Sequence, residues 1–537
     1  MTNVTVRYDD LVELVGKPLS IEEFVDRITM MGSGHEATEG DLITFDIFPN
    51  RPDMYSIEGI ARSLRGFLGL EVGPPKFKTQ SGFVELRVDR SVEAVRPFGV
   101  GGVVRGIELE DESVASLVDL QERLHLTLGR RRRKVAIGIH DLDRVRPPFT
   151  YKGVPPTSVR FVPLGMAQEM DLKEILEKHE KGREYGPIVA GAPVYPIILD
   201  ANDVVLSFPP VINGVVTQLT PDTRNLFIDV TGTDLQAIRT TLTILCAALA
   251  ERGGTIETVS TVFADRRLVT PDLEPKIRIV DIERAKRLLG FTLTTEDAIG
   301  LLRLMRYDAH AQGTKIAVEI PAYRADILHD WDVFEDIGIA YGYDKTPPSL
   351  PRQLTIGEAL PMGEFAKSLR ALMIGYGYLE VMSLATSSPK LPLEGPTPAV
   401  IQNPVSEEFS VIRTGLLAGV LNMLRLNKHR ELPQREFEIG DVVLHGTNVQ
   451  QIAAASIHPK ASFTEMKSLV LSLLRDLGKS AEIEPAQNGN YIPGRCARVL
   501  VEGSPVGVFG EIHPRVIEGY ELTHPVCAFE MDVAPLL

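Results

Sequence analysis

The sequence predicts a mixed α/β chain that folds as several domains. Stretches with the two-residue apolar period of strands alternate along the chain with stretches that have the 3.6-residue period of amphipathic helices. A chain of 537 residues is longer than a single hydrophobic core usually supports. Segments rich in proline and glycine interrupt it at residues 73–82, 264–276 and 347–351. These observations indicate a series of α/β and α+β units.

The interruptions divide the chain into four predicted domains. Residues 1–80 read as an α+β unit, and residues 83–265 mix strands with one long amphipathic helix. Residues 277–347 form a small, mainly helical unit. Residues 355–537 form a further α/β unit that includes a hairpin around Gly503.

Turn and capping residues justify the individual elements. In the first domain the pattern predicts a helix at 21–30, because Ser20 and Glu23 form a capping box, and a helix at 56–68 that ends at Gly69. The other elements predicted from periodicity are strands at 4–8, 42–48, 103–109, 133–140, 226–233 and 315–320, and helices at 235–249, 281–289 and from 330 onward.

Composition excludes several classes of protein. The three cysteines are far apart, so neither a CxxC metal site nor a disulfide framework is present, and a reducing cytosol is the expected location. The N-terminus lacks the pattern of a signal peptide, and no apolar run is long enough to cross a membrane. P-loop, dinucleotide-binding GxGxxG and GxSxG motifs are also absent.

A net charge of −15 argues against a protein that coats nucleic acid. One local exception is the basic run at residues 130–134, which either binds phosphates or is a solvated loop. The basic run consists of Arg130, Arg131, Arg132, Arg133 and Lys134.

The helix from residue 330 carries the densest set of candidate ligands. Its periodicity predicts one apolar stripe with Trp331, Phe334, Gly338 and Tyr341. A second face is acidic, with a further aspartate just ahead of the helix: Asp326, Asp332, Glu335 and Asp336. Oxygen donors without cysteine suit Mg²⁺, and the alternative is a solvated acidic face.

Several blocks of the sequence, in order, resemble the β subunit of phenylalanyl-tRNA synthetase of the archaeal and eukaryotic cytosolic type. The extra modules of the longer bacterial β subunit, an N-terminal OB-type module and a C-terminal anticodon-binding module, are missing. The matching blocks are residues 50–53, 133–143, 206–214, 227–234, 323–344, 403–406, 437–441 and 510–514.

The resemblance implies an (αβ)₂ heterotetramer that attaches phenylalanine to tRNA(Phe). The α subunit is expected to bind ATP and phenylalanine. The β subunit is expected to contribute a B3/B4-like editing domain, a B5-like Mg²⁺ domain and a class II synthetase-like domain with an antiparallel sheet. That last domain lacks a complete active site, because residues 434–441 resemble one class II motif and its partner motif is missing.

The resemblance also implies roles for particular residues. Ser207, Asn213, Asp229 and Thr231 are the candidate editing-site residues, and they would recognise and hydrolyse mischarged Tyr-tRNA(Phe). Asp229 and Thr231 share a strand face, although Asp229 alone could be an ordinary strand carboxylate. Asp326, Asp332, Glu335 and Asp336 match Mg²⁺ positions. His140 is interpreted as structural. The alternatives are a free-standing tRNA-editing hydrolase and a non-catalytic RNA-binding scaffold.

Overall fold

The computed structural model describes residues 2–537, which separate into two compact units. The first unit ends at Ser349 and the second spans Leu350–Leu537. Helices and strands alternate in both, as the prediction of a mixed α/β chain requires. Within residues 2–537 no helix is both long enough and apolar enough to span a membrane.

The first part of unit 1 is a three-stranded antiparallel sheet with helices packed on it. The strand order is β1-β3-β2, and Phe24 and Phe45 lie in its core. Ser20 and Glu23 form the predicted capping box, whereas the short helix α1 was not predicted. The elements are β1 Thr2–Arg7, α1 Tyr8–Val15, α2 Ile21–Met30, β2 Gly34–Glu39, β3 Leu42–Ile47 and α3 Ile57–Phe67.

An eleven-stranded sheet dominates the middle of unit 1. The helices and strands of this middle part are β4 Thr79–Gln80, β5 Glu85–Val88, β6 Phe98–Arg105, α4 Asp111–Leu126, β7 Val135–Asp141, β8 Phe149–Val154, β9 Arg160–Phe161, β10 Met170–Asp171, α5 Leu172–Lys178, α6 Glu180–Tyr185, β11 Tyr195–Leu199, β12 Val205–Phe208, β13 Ile212–Asn213, β14 Asn225–Gly232, α7 Leu235–Glu251, β15 Thr255–Val262 and β16 Arg267–Thr270. β9 and β10 form a separate two-stranded pair.

Strand β14 lies between β6 and β7 and pairs antiparallel with both. Two predictions differ from this structure. β6 begins at Phe98 rather than residue 103, because glycines that lower strand propensity hide its first half. Residues 264–276 are not only a linker, since β16 returns along β15.

The last part of unit 1 is a three-stranded sheet with order β17-β19-β18 and three helices. Helix α10 begins at the predicted residue, but the predicted apolar stripe is wrong at its first member. Trp331 is 48% exposed and lies under the Arg284 guanidinium at 4.9 Å, whereas Phe334 is fully buried. The elements are β17 Lys276–Asp281, α8 Ile282–Leu289, α9 Thr295–Leu304, β18 Asp308–Gln312, β19 Lys315–Ile320 and α10 Asp330–Tyr341.

Unit 2 is built on a seven-stranded sheet with order β20-β23-β24-β28-β27-β26-β25. β20 runs parallel to β23, and the other neighbouring pairs are antiparallel. The elements are α11 Pro361–Gly375, β20 Leu379–Glu380, β21 Thr386–Ser387, β22 Val411–Ile412, α12 Leu417–Leu426, β23 Gln434–Leu444, β24 Thr447–Ile457, α13 Phe463–Asp476, β25 Ala481–Pro485, β26 Tyr491–Val501, β27 Ser504–Ile512, α14 Pro514–Gly519 and β28 Val526–Asp532.

Candidate functional site

One cavity of unit 1 brings together four polar side chains from two separate parts of the chain. It has a volume of about 200 Å³, and Ser207, Asn213, Asp229 and Thr231 all line it. The rest of its wall is mostly apolar and includes Val118, Ile137, Leu164 and Val211. Sites for drug-sized ligands are usually about 300–1,000 Å³, so this one suits a single side chain.

Strand β14 supplies two of these groups through its alternation. Asp229 and Thr231 are two residues apart, so both point to the same face of the sheet, and each is only 1% exposed. Gly138 lies directly opposite Asp229 on β7. A side chain at residue 138 would place its Cβ 2.0 Å from Asp229 Oδ2, so the glycine is what makes room for the carboxylate.

His140 holds the Asp229 carboxylate in place from behind. Its Nε2 lies 2.7 Å from Asp229 Oδ2, and its Nδ1 lies 2.8 Å from the Thr217 hydroxyl oxygen. His140 is fully buried and does not line the cavity. Because an ionised carboxylate can only accept, Nε2 is the nitrogen that donates to Asp229. The geometry is that of a structural, orienting histidine.

The hairpin of β12 and β13 supplies the other two groups. Ser207 and Asn213 are direct partners in its register, so their side chains share one face. The Ser207 hydroxyl is buried and has no hydrogen-bond partner within residues 2–537. A buried polar group without a partner is unfavourable by about 1–3 kcal/mol, which points to a ligand that completes it.

Arg96 fixes the far side of the cavity. Its Nε donates to the Thr231 hydroxyl at 2.9 Å, and a terminal nitrogen donates to the Thr231 carbonyl at 2.7 Å. Burial lowers the pKa of the Arg96 guanidinium to about 10, so the group is still a cation at neutral pH. Because the Thr231 hydroxyl oxygen accepts a hydrogen bond from Arg96, the hydroxyl proton of Thr231 is free to point into the cavity.

The basic run is not a uniform exposed patch, and its prediction needs correction at Arg132. This side chain is buried and donates to the Val211 carbonyl at 3.0 Å and to Glu122 at 2.6 Å. Its guanidinium also lies 4.1 Å from the centre of the Tyr185 ring. The sequence of the basic run does not show these contacts, because the partners of Arg132 lie in distant segments of the chain. The remaining four residues line a separate open cleft: Arg130, Arg131, Arg133 and Lys134.

An arginine lies among the acidic residues predicted to bind Mg²⁺. Arg324 donates to Asp326 at 2.6 and 2.9 Å and to Asp336 at 2.7 Å. Burial acts to lower the pKa of Arg324, but the two carboxylates outweigh it and leave that pKa well above its usual range. Two of the four predicted ligands therefore share one guanidinium, which balances one of their two negative charges.

The other two predicted ligands differ from each other. Asp332 accepts from the backbone N–H groups of Leu328 and His329 at 2.7 and 2.6 Å and so caps helix α10. Glu335 is exposed, and partial desolvation together with the nearby charge of Asp336 raises its pKa. Glu335 and Asp336 line a cavity of about 90 Å³.

The donor set fits Mg²⁺ in its chemistry, but a four-carboxylate cage is not formed. Mg²⁺ commonly takes one or two carboxylates and keeps several waters, which matches Glu335 with Asp336. Among residues 2–537, the trio of possible ligands whose donor atoms all lie within 4.8 Å of one another is Asp308, His310 and Glu319.

In unit 2 Arg413 is held by residues of the predicted vestigial motif, whereas Arg435, within that motif, has only a distant ion pair. Arg413 donates to Glu438 at 2.6 Å and to the Asp441 carbonyl at 2.8 Å, and Arg435 lies 3.8 Å from Glu465. Arginines that bind a nucleotide triphosphate must offer free N–H groups. At Arg413 this arrangement agrees with an incomplete active site.

The sequence did not single out Arg96, Thr217 or Arg324, although all three position the predicted residues. The sequence contains only a weak indication that two of these residues are buried. Arg96 and Arg324 each stand beside apolar residues, and an arginine in such a place is rarely buried unless it is paired.

Three family models match the chain. The B3/4 domain matches residues 107–261, the tRNA synthetase B5 domain matches residues 279–343, and the phenylalanyl tRNA synthetase beta chain CLM domain matches residues 347–533.

Full-length relatives and one solved structure agree with these matches. The chain is 46% identical to the phenylalanine–tRNA ligase beta subunit of Methanothrix thermoacetophila, over 99% of this chain and 100% of the relative. It is 42% identical to that of Archaeoglobus fulgidus, over 99% and 98%. The crystal structure of an N-terminal fragment of the Pyrococcus horikoshii phenylalanyl-tRNA synthetase beta subunit is 41% identical, with a TM-score of 0.61, covering 64% of this chain and all of the fragment.

Proposed function

The chain belongs to the family of phenylalanine–tRNA ligase β subunits, and on that premise we propose that it edits mischarged tRNA and completes the ligase only with an α subunit. As a member of this family it is a subunit of a ligase. One observation carries the editing role: Ser207, Asn213, Asp229 and Thr231 converge on one mostly apolar cavity.

The composition of this cavity suits the side chain of tyrosine. Its apolar wall accepts an aromatic ring, and its polar groups accept and donate at the phenolic hydroxyl and the ammonium group. A synthetic pocket shaped for phenylalanine rejects an added hydroxyl only about a hundredfold. A site built to hydrogen-bond that hydroxyl discriminates by about 10⁴–10⁵, because phenylalanine leaves its polar groups unpaired. The second site therefore removes tyrosine and spares phenylalanine.

Hydrolysis in this cavity is proposed to proceed by attack of water on the ester. Within residues 2–537 the groups that line the cavity offer no serine beside a histidine, since Ser207 has no hydrogen-bond partner and His140 lies behind Asp229. A covalent intermediate would need such an activated nucleophile. In our proposal Asp229 and Thr231 bind the misattached amino acid, and Ser207 and Asn213 complete the pocket.

The partnership with an α subunit is tested by reconstitution. We expect the chain alone to attach no phenylalanine to tRNA(Phe), and to do so with ATP once a family α subunit is added. The reason is that Arg413 is already bound to Glu438 and the second class II motif is missing from the sequence. Incorporation of labelled phenylalanine into tRNA measures this. Attachment by the chain alone would contradict the division of labour, and failure to co-sediment with any α subunit would favour a free-standing hydrolase.

The Mg²⁺ site stays a prediction, and the structure indicates which residue tests it. We expect Glu335→Gln to lower the Mg²⁺ content of the purified protein, because Glu335 carries a carboxylate that no arginine neutralises. Asp336 and Asp332 are poorer targets, since one is paired to Arg324 and the other caps α10.

Metal analysis after dialysis measures the Mg²⁺ content. The matched control is Glu296→Gln, an exposed glutamate on helix α9. Equal Mg²⁺ in both variants and the parent protein would leave only the interpretation as a solvated acidic face.

A further inference from the structure

The basic run adopts a backbone conformation that side chains other than glycine rarely take. Arg130, Arg131 and Arg132 have φ angles of +47°, +54° and +62°. This conformation is unfavourable for such residues unless the surroundings hold it, and such strain clusters at functional sites. Gly129 permits the approach of this loop, because a Cβ there would lie 2.5 Å from the His125 carbonyl oxygen.

Two buried arginines hold this loop against the wall of the cavity. Arg96 donates to the carbonyls of Arg132 and Arg133 at 3.1 and 3.2 Å while it also binds Thr231. The Arg132 side chain reaches in the other direction to the carbonyls of residues 210 and 211, next to the hairpin that carries Ser207. The loop is therefore fixed to both polar sides of the cavity.

The exposed members of the loop carry charge that the protein does not neutralise. Across residues 2–537, Arg130, Arg131 and Arg133 form no salt bridge with any carboxylate, although the protein has 72 acidic residues against 57 lysines and arginines. Lys134 is the exception and pairs with Asp234 at 3.1 Å. These residues line an open cleft of about 690 Å³ together with Thr233 and Asp234, the carboxylate that pairs with Lys134. Thr233 follows the end of β14 and is two residues from Thr231, so the cleft adjoins the cavity.

We propose that Arg130, Arg131 and Arg133 bind the terminal phosphates of the tRNA whose amino acid enters the cavity. This inference rests on the proposed editing function. The bound group is a phosphodiester of a single-stranded RNA end, because the aminoacyl ester and the phosphates that precede it must lie side by side. Arg132 is a positioning residue that orients the loop and does not contact RNA.

The charge of the loop fits this proposal. Three adjacent guanidinium groups repel one another, and bound phosphates offset that repulsion, while the bonds made by Arg96 and Arg132 hold the strained backbone in place. An acidic protein also needs a restricted basic site if it is to bind tRNA at all. A loop that is fixed to the cavity wall holds the phosphates at a constant distance from Asp229 and Thr231.

The test compares phosphate-containing and phosphate-free substrates. The variant is Arg131→Gln with Arg133→Gln in the full chain assembled with an α subunit. The control is Arg90→Gln with Arg352→Gln, which removes the same charge at two exposed arginines outside both cavities. The substrates are Tyr-tRNA(Phe) and tyrosyl-adenosine, which has the ester and no phosphate.

We expect the affinity for Tyr-tRNA(Phe) to fall at least about tenfold, since the variant loses two charged groups that would each bond to a phosphate. KM should rise with little change in kcat, and the slope of log affinity against log salt should fall by about one for each lost phosphate contact. Hydrolysis of tyrosyl-adenosine should not change. The control variant should behave like the parent protein.

The outcomes separate this inference from the editing function. Affinity and salt slope equal to those of the parent protein would overturn the phosphate site, even if editing continues. Equal loss of tyrosyl-adenosine hydrolysis would show that the loop acts on the cavity itself, which also overturns it. If the parent protein hydrolyses neither substrate, the editing function fails, while the tRNA-binding measurement still decides whether the loop binds phosphate.

Discussion

Replacing Asp229 by asparagine is expected to slow hydrolysis of Tyr-tRNA(Phe) about tenfold to a hundredfold, while attachment of phenylalanine by the assembled enzyme continues. The change removes the negative charge from the cavity and keeps the size of the side chain. A hydrogen bond to a charged group is worth about 1.5–3 kcal/mol, which corresponds to this range of rates. Single-turnover deacylation of purified Tyr-tRNA(Phe) measures the loss.

Asparagine is preferred to alanine because of what lies behind Asp229. His140 donates to this residue at 2.7 Å, and an amide oxygen can still accept that bond. The melting temperature should therefore stay near that of the parent protein. The matched control is Asp265→Asn, at an exposed aspartate that does not line the cavity. Unchanged hydrolysis in Asp229→Asn would remove Asp229 from the site.

The polar cavity shows which site residues can be predicted from strand periodicity and which from family resemblance. Alternation alone places Asp229 and Thr231 on one face, because it depends only on residues two apart in one strand. Ser207 and Asn213 came from resemblance, since their hairpin does not pair with β14 and reaches the cavity only through the packing of distant segments. Neither approach identified Arg96, whose partner Thr231 is 135 residues away. Side chains that position others depend on packing that sequence spacing does not contain.

The same distinction applies to the fold. Capped and strongly periodic elements were predicted almost to the residue, as for α8, which begins after Asp281 and ends at Gly290. The predictions were wrong where another interaction outweighs the one that the apolar periodicity reports. Trp331 follows the helical period but stacks on Arg284 at the surface, because an aromatic ring is also stabilised by a cation above its face.

The largest expected effect on stability is at Arg324. Replacing it by methionine should destabilise unit 1 by about 3–5 kcal/mol, because Asp326 and Asp336 would remain buried without their counter-charge. Arg324 is 6% exposed, so water cannot readily replace the lost partner. Thermal or urea unfolding measures the change. Arg324→Lys is the matched control, since it keeps the charge and loses the bidentate geometry, and it should fall between the methionine variant and the parent protein.

The same variant also tests whether these carboxylates bind a metal ion. If Asp326 and Asp336 are ligands of Mg²⁺, removing their competing cation should make the unfolding midpoint of Arg324→Met rise with Mg²⁺ concentration. A hundredfold excess over the dissociation constant would recover about 2.7 kcal/mol. An unfolding midpoint that does not change with Mg²⁺ concentration would show that the two aspartates pair with Arg324 and do not bind the metal ion. A midpoint equal to that of the parent protein would contradict the role of Arg324 as their counter-ion, because two buried and unneutralised carboxylates cannot be without effect.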